Sequence, residues 1–311
     1  MPCDQARTDH LVRIRLCVAL PLYVAAAAAG CGIGNIGGNA APPSDGNIPD
    51  AIASDATTAD AKPRSRSCKD LLFCDDFELN ANGAAPTGWK LSIFPGTPGT
   101  IQVDGAHAAS GSRAVRIVSV DSDRTITPIT FVQMHHTMPK LPTNMFYGRI
   151  RVWATQTPTS RLHWNLIESF GYSKDVIPGP INGSMYQYGG GSSVDGDHAL
   201  AAFGLGPGLD CTQQQTKNPP VALPTKKWAC VEWQFDGIKN EMRLWIDGVA
   251  VDEMTVTKPQ CTCPTCGGVW PAPVFQDVRL GWMNARPDSG GPPLEIWMDD
   301  VAIDPERIYC Q

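Results

Sequence analysis

Charge is scarce in this 311-residue chain: Asp, Glu, Lys and Arg make up only 18% of it, and the net charge is -6. No basic face is present to neutralise phosphates, so nucleic acid is excluded as an expected partner. Helical periodicity is missing as well, and no stretch reads as a convincing amphipathic helix. No glutamate is followed two residues later by aspartate. A Glu-x-Asp arrangement of paired carboxylates flanking a scissile glycosidic bond is therefore not available. A Gly-x-Ser-x-Gly elbow and a His-Glu-x-x-His helix are equally absent. The main apolar run, Leu16 to Ala29, is too short to cross a bilayer.

What the chain has in quantity is Gly (30) and Pro (27), which suits a turn-rich β-protein. The clearest stretch is Cys230 to Val251. Val231, Trp233 and Phe235 alternate with Glu232, Gln234 and Asp236, the period of a strand with one buried face. Asp236 to Asn240 turns the chain, Met242, Leu244 and Ile246 return it, and Asp247-Gly248 is a two-residue hairpin signal. Similar alternation predicts strands over 71–78, 89–93, 101–118 (two, around a small-residue loop), 129–134, 146–153, 161–168, 184–188, 199–205, 278–282 and 294–303. About a dozen strands without helices predict an all-β fold: a two-sheet antiparallel β-sandwich of jelly-roll type, one domain over residues 68–311.

The N-terminus reads as an export signal over residues 1–30. Arg7, Arg13 and Arg15 precede the apolar run, which ends in Ala28-Ala29-Gly30-Cys31. That ending resembles a bacterial lipobox, which implies cleavage before Cys31, lipidation of its thiol and a membrane anchor. Gly32 does not supply the Asp that retains lipoproteins at the inner membrane. The expected location is the bacterial cell envelope, as an outer-membrane lipoprotein or at the cell surface. Residues 31–67 are Gly, Asn, Ala, Pro, Ser and Asp with few large apolar residues, the composition of a disordered tether.

Beyond Cys3, Cys17 and Cys31, eight cysteines remain, an even number that suits disulfides in an exported domain. Cys68 with Cys74 would make a short staple, and Cys211 with Cys230 would tie a long loop to the hairpin. Eight cysteines allow 105 pairings, so the connectivity stays open. Cys261, Cys263 and Cys266 are read as disulfide partners rather than metal ligands.

On the strand Arg161-Leu-His-Trp-Asn-Leu-Ile-Glu168, Arg161, His163 and Asn165 point one way and Leu162, Trp164 and Leu166 the other. Polar groups at every second position describe the lining of a groove. Arg149 and Arg151 are expected on the neighbouring strand, and Tyr186 and Tyr188 on the next. His135 and His136 alternate faces, so they cannot both line one site; either could edge the groove, but neither is expected to act.

Taken together, Cys74-Asp-Asp-Phe-Glu78, the loop from Asp104-Gly105 to Ser110-Gly111, Trp245-Ile-Asp-Gly248 and Trp297-Met-Asp-Asp-Val301 resemble the concanavalin A-like jelly-roll superfamily. Within it the layout is similar to the fungal cellulose-induced secreted proteins and to glucuronan and alginate lyase-type polysaccharide lyases. The resemblance implies a structural calcium held by Glu78, Asp300 (or Asp299) and backbone carbonyls near Asp104 and Ser110. It also implies β-elimination from a uronate polysaccharide. An Arg, Asn or Gln neutralises the sugar carboxylate, a His or Tyr removes the C5 proton, and a Tyr or His protonates the leaving oxygen. The expected catalytic set is His163, Asn165, Arg149, Arg151, Tyr186 and Tyr188, with Arg161, Gln234 and Trp153 binding substrate. The alternative is a non-catalytic, lectin-like carbohydrate-binding module that stacks sugars on Trp153, Trp282 or Trp297.

Overall fold

The computed structural model describes residues 66–94, 99–120, 129–157, 163–172, 183–190, 200–206, 209–214, 220–257, 272–285 and 293–310. The leader, residues 31–65 of the tether (Cys31 included), Arg161 and Cys261, Cys263 and Cys266 lie outside these residues.

Sixteen strands follow in order: β1 (Phe73–Asp75), β2 (Lys90–Ile93), β3 (Gly99–Asp104), β4 (Ala114–Ser119), β5 (Ile129–Thr137), β6 (Met145–Ala154), β7 (His163–Tyr172), β8 (Ser184–Gly190), β9 (Leu200–Gly206), β10 (Leu209–Gln214), β11 (Trp228–Asp236), β12 (Glu241–Ile246), β13 (Val249–Ala250), β14 (Val256–Thr257), β15 (Val274–Ala285) and β16 (Leu294–Asp304). Among the described residues the only helical pieces are two short 3-10 turns, Cys68–Asp70 and Asp252–Met254. One sheet has nine strands, ordered β13-β12-β11-β6-β16-β4-β3, with β1 on β16 and β14 on β12. The other has seven, ordered β10-β9-β8-β7-β15-β5-β2. Every named strand pairing is antiparallel. The all-β, two-sheet sandwich is as expected.

Period-two patterning is what stacks the sheets. Ile150 and Val152 of β6, Val231, Trp233 and Phe235 of β11, and Met298 of β16 face Val132 and Met134 of β5, Leu280 and Trp282 of β15, and Tyr186 and Tyr188 of β8 in one core. Each large apolar side chain so buried contributes about 1.5–3 kcal/mol. Trp233 fits because its partner in register is Gly148, where a Cβ would come within 2.0 Å of the indole. Asp247 (φ 50°) and Gly248 (φ 80°) form the β12–β13 turn that their sequence predicts.

The first strand is shorter than expected, because Phe77 turns the chain with φ 58°. Strands β10 and β14 were not expected; β14 is two residues long and leaves too little alternation to read. Cys68 bonds Cys74. The expected Cys211–Cys230 pair is corrected: Cys230 bonds Cys310, 80 residues away. That bond holds the C-terminal segment over the outer face of the nine-stranded sheet. Arg307 there pairs with buried Glu232 at 3.1 Å and lies 4.1 Å over the Trp245 ring.

Candidate functional site

On the opposite side of the sandwich, the outer face of the seven-stranded sheet carries a polar row running across the strands. Backbone register places Phe203 (β9), Gln187 (β8), Glu168 (β7), Arg279 (β15), His135 (β5) and Lys90 (β2) side by side. At about 4.8 Å per strand the row extends roughly 24 Å.

A β-bulge builds the middle of this row. In a regular strand Asn165 and Glu168, three apart, would face opposite ways. The β7–β8 register skips between Asn165 and Ile167, and the β7–β15 register shifts between Leu280 and Met283. Leu166 and Ile167 both enter the core, and Glu168 emerges on the side of Asn165 and His163. On β15 the irregularity uses Gly281, whose φ of 127° and close approach to the Val132 carbonyl leave no room for a side chain. Gln133, opposite Gly281 in register, therefore extends beside Glu168.

Glu168 is 2% exposed, with Gln133, Asn165 and Gln187 equally buried. Gln187 Nε2 donates to Glu168 Oε1 at 2.9 Å. Burial holds the Glu168 carboxyl above its ordinary range; the amides of Gln133 and Asn165 and the charge of Arg279 pull it part of the way back. His135 is held down to about 4, first by burial and then by repulsion from Arg279, with Asp277 opposing and Lys90 adding a further repulsion. It is a neutral imidazole at neutral pH, and its Nε2 is buried with no hydrogen-bond partner among the described residues. Arg279 is fixed by Asp277 Oδ2, at 3.1 Å from Nε and 2.9 Å from Nη2, and by the Phe170 ring 4.9 Å away. Next to this group the sheet opens into a cavity of about 1000 Å³, lined by Lys90, His135, Arg279 and Phe170 among others.

The structure brings His163 and Asn165 to this face as expected; His163 stacks on Phe203 with ring centroids 3.8 Å apart. The tyrosines do not join them. Tyr186 and Tyr188 are buried between the sheets, where their hydroxyls donate to Asn240 Oδ1 and, at 2.8 Å, to the Met254 carbonyl. Burial raises both phenols well beyond their ordinary range. Arg149 and Arg151 lie in β6 of the other sheet, next to β11 and β16 rather than β7. Arg149 reaches the Tyr309 carbonyl at 3.5 Å, and Arg151 faces Asp300 at 3.5 Å. Gln234 is buried in β11 of that sheet, and Trp153 is stacked under His107 at 4.0 Å. Trp282 and Trp297 are buried, not sugar platforms.

Glu168, Gln133, Gln187, Arg279 and His135 are therefore the site residues that sequence reasoning missed. Gln133 and His135, two apart on β5, carry the same alternation signal as His163 and Asn165. Glu168 carried none, because the bulge reverses its face.

The residues expected to hold calcium surround the loop from Asp104 to Arg113. Glu78 accepts from the Ser112 and Arg113 amides at 2.8 and 2.7 Å, Asp299 from the Ala109 and Ser110 amides at 2.8 and 3.1 Å, and Asp300 from the Ser110 hydroxyl at 2.7 Å. Asp104 accepts from Trp297 Nε1 at 3.1 Å. Carboxylates and a hydroxyl are the hard oxygen ligands that calcium takes, and Asp299, fully buried beside Asp300, is a place where a cation would offset like charge. Among the described residues no three His, Cys, Asp or Glu side chains gather into a metal cage.

Two stacked antiparallel sheets of this order form a β-sandwich of jelly-roll type. No protein-family model and no curated protein matches the chain. Among solved structures it is similar to the cellulose-induced protein Cip1, at 23% identity and a TM-score of 0.54, over 77% of this chain and all of that one. An endo-β-1,4-glucuronan lyase from the fungus Trichoderma reesei matches at 13% identity and TM-score 0.49, over 72% of this chain and 93% of its own. Alginate lyase vAL-1 from Chlorella virus matches at 12% identity and TM-score 0.44, over 70% and 93%. At these identities the likeness is one of fold.

Proposed function

We propose that this chain is an exported, lipid-anchored protein of the bacterial envelope that cleaves a uronate polysaccharide by β-elimination on the outer face of the seven-stranded sheet. The observation that carries the reading is the neutral His135 imidazole set beside Arg279 in a row of buried amide side chains. Arg279, whose guanidinium is partly exposed, supplies donors for a sugar carboxylate, which makes the adjacent C5 proton more acidic. His135 takes that proton, the C5–H electron pair forms the C4=C5 bond, and the C4–O bond breaks. The imidazolium, disfavoured by burial and Arg279, returns its proton to the leaving oxygen. Glu168 and Gln187 hold the amides in place, and His163 over Phe203 gives a flat surface for a neighbouring sugar.

Incubation with glucuronan and alginate tests this reading: ultraviolet absorbance from the new double bond should rise. The burial of Tyr186 and Tyr188 removes the phenolic acid and favours the second reading, a lectin-like module; retention on a polyuronate without any absorbance rise would establish that instead. Export and anchoring rest on the leader and Cys31, and palmitate labelling that is lost in Cys31→Ser checks them. A structural calcium belongs to the same proposal. Glu78, Asp104, Ser110, Asp299 and Asp300 would hold it, pinning the first and last strands to the 104–113 loop, and chelation should then lower the melting temperature.

A further inference from the structure

The cavity beside the row has a fixed wall. Segment 138–144 is held by the Met138 amide to the Gln276 carbonyl at 2.8 Å, by Asn144 Nδ2 to the Pro273 carbonyl at 2.8 Å and by the Phe275 amide to Asn144 Oδ1 at 3.1 Å. Lys140 stands on that wall and Lys90 on β2 beside His135, both exposed and both lining the cavity. Arg279 adds a third cation, and among the described lining residues the one carboxylate, Asp277, is already bonded to Arg279. Neither lysine has a carboxylate partner among the described residues. The described lining therefore carries an excess of positive charge that an anion would complement.

We infer that this cavity seats a second oxyanion of the ligand, a carboxylate or sulfate ester, on a sugar close to the one held at Arg279 and His135. The inference rests on the acidic-glycan reading and narrows it: the substrate carries acidic groups on nearby sugars, and a glycan with one isolated acid fills only the row. The volume, about 1000 Å³, suits a whole sugar unit rather than a bare ion.

The test is calorimetric titration of the whole protein and of the Lys90→Gln/Lys140→Gln variant with three probes: a polyglucuronate hexasaccharide, a sulfated hexasaccharide and cellohexaose. Both lysines are exposed, so the melting temperature should be unchanged. The unaltered protein should bind an acidic probe and not cellohexaose, and the stronger of the two acidic probes assigns carboxylate or sulfate. The variant should bind that probe about tenfold more weakly and with a shallower dependence on salt. Unchanged affinity and salt dependence in the variant would overturn the second-oxyanion site alone. Failure of the unaltered protein to bind either acidic probe would overturn the acidic-glycan reading and the cavity site with it.

Discussion

The two outer faces of the sandwich treat buried polar groups in opposite ways. On the nine-stranded sheet, Glu232 is 1% exposed and is paired with Arg307, whose guanidinium also lies over Trp245 and Tyr309. Cys230–Cys310 locks the segment that delivers Arg307, and Arg149 bonds the Tyr309 carbonyl. On the seven-stranded sheet, Glu168 is as deeply buried but is met by amides, and the His135 Nε2 has no partner among the described residues. Buried polar groups are costly unless paired, so the first face spends its polarity on stability and the second keeps polarity in reserve. Function is expected where the polar groups lack fixed partners.

The largest effect should come from opening the paired face. Replacing Cys310 with Ser releases an 80-residue loop and should cost about 4 kcal/mol in chemical denaturation. A loss under about 1 kcal/mol would show that the tail is held without the bond. Arg307→Ala follows: it leaves Glu232 buried without its cation and should cost roughly 3 kcal/mol, while the glycan cleavage rate per folded molecule stays the same. A fall in that rate would mean that the two faces are not separate in purpose.

A smaller effect belongs to the other face. His135 is lowered from 6.5 to about 4, so between those values the unfolded chain binds the proton and the folded chain does not. Its contribution is fully present above pH 6.5 and is lost as pH falls toward 4. His135→Gln should flatten the stability profile across that window by roughly 1–2 kcal/mol, allowing for the partial exposure of the ring. An unchanged profile would place the ring in water.

Much of the fold was legible because apolar alternation is a local signal. The hairpin of residues 230–251, the turn at Asp247-Gly248 and the Cys68–Cys74 staple were all readable from neighbours in the chain. The Cys230–Cys310 bond was not, since it joins residues that only the sheet order brings together. The site was half legible for the same reason. His163 and Asn165 follow from strand alternation, but alternation does not say which sheet a strand joins, and Arg149 and Arg151 belong to the other sheet. Alternation also does not say which face is inward: the rings of Tyr186 and Tyr188 belong to the core between the sheets, not to the groove. Glu168 was hidden by the bulge at Leu166, a register shift that no local pattern announces.

The most direct measurement is the rate of ultraviolet absorbance increase on glucuronan and alginate for three forms: the unaltered protein, His135→Gln and Gln234→Leu. The seven-stranded face, if it is the working one, gives a rise with the unaltered protein and with Gln234→Leu, and a rate at least about a hundredfold lower with His135→Gln. A His135→Gln protein that cleaves at the unaltered rate, or no rise from any form on either polymer, would contradict it.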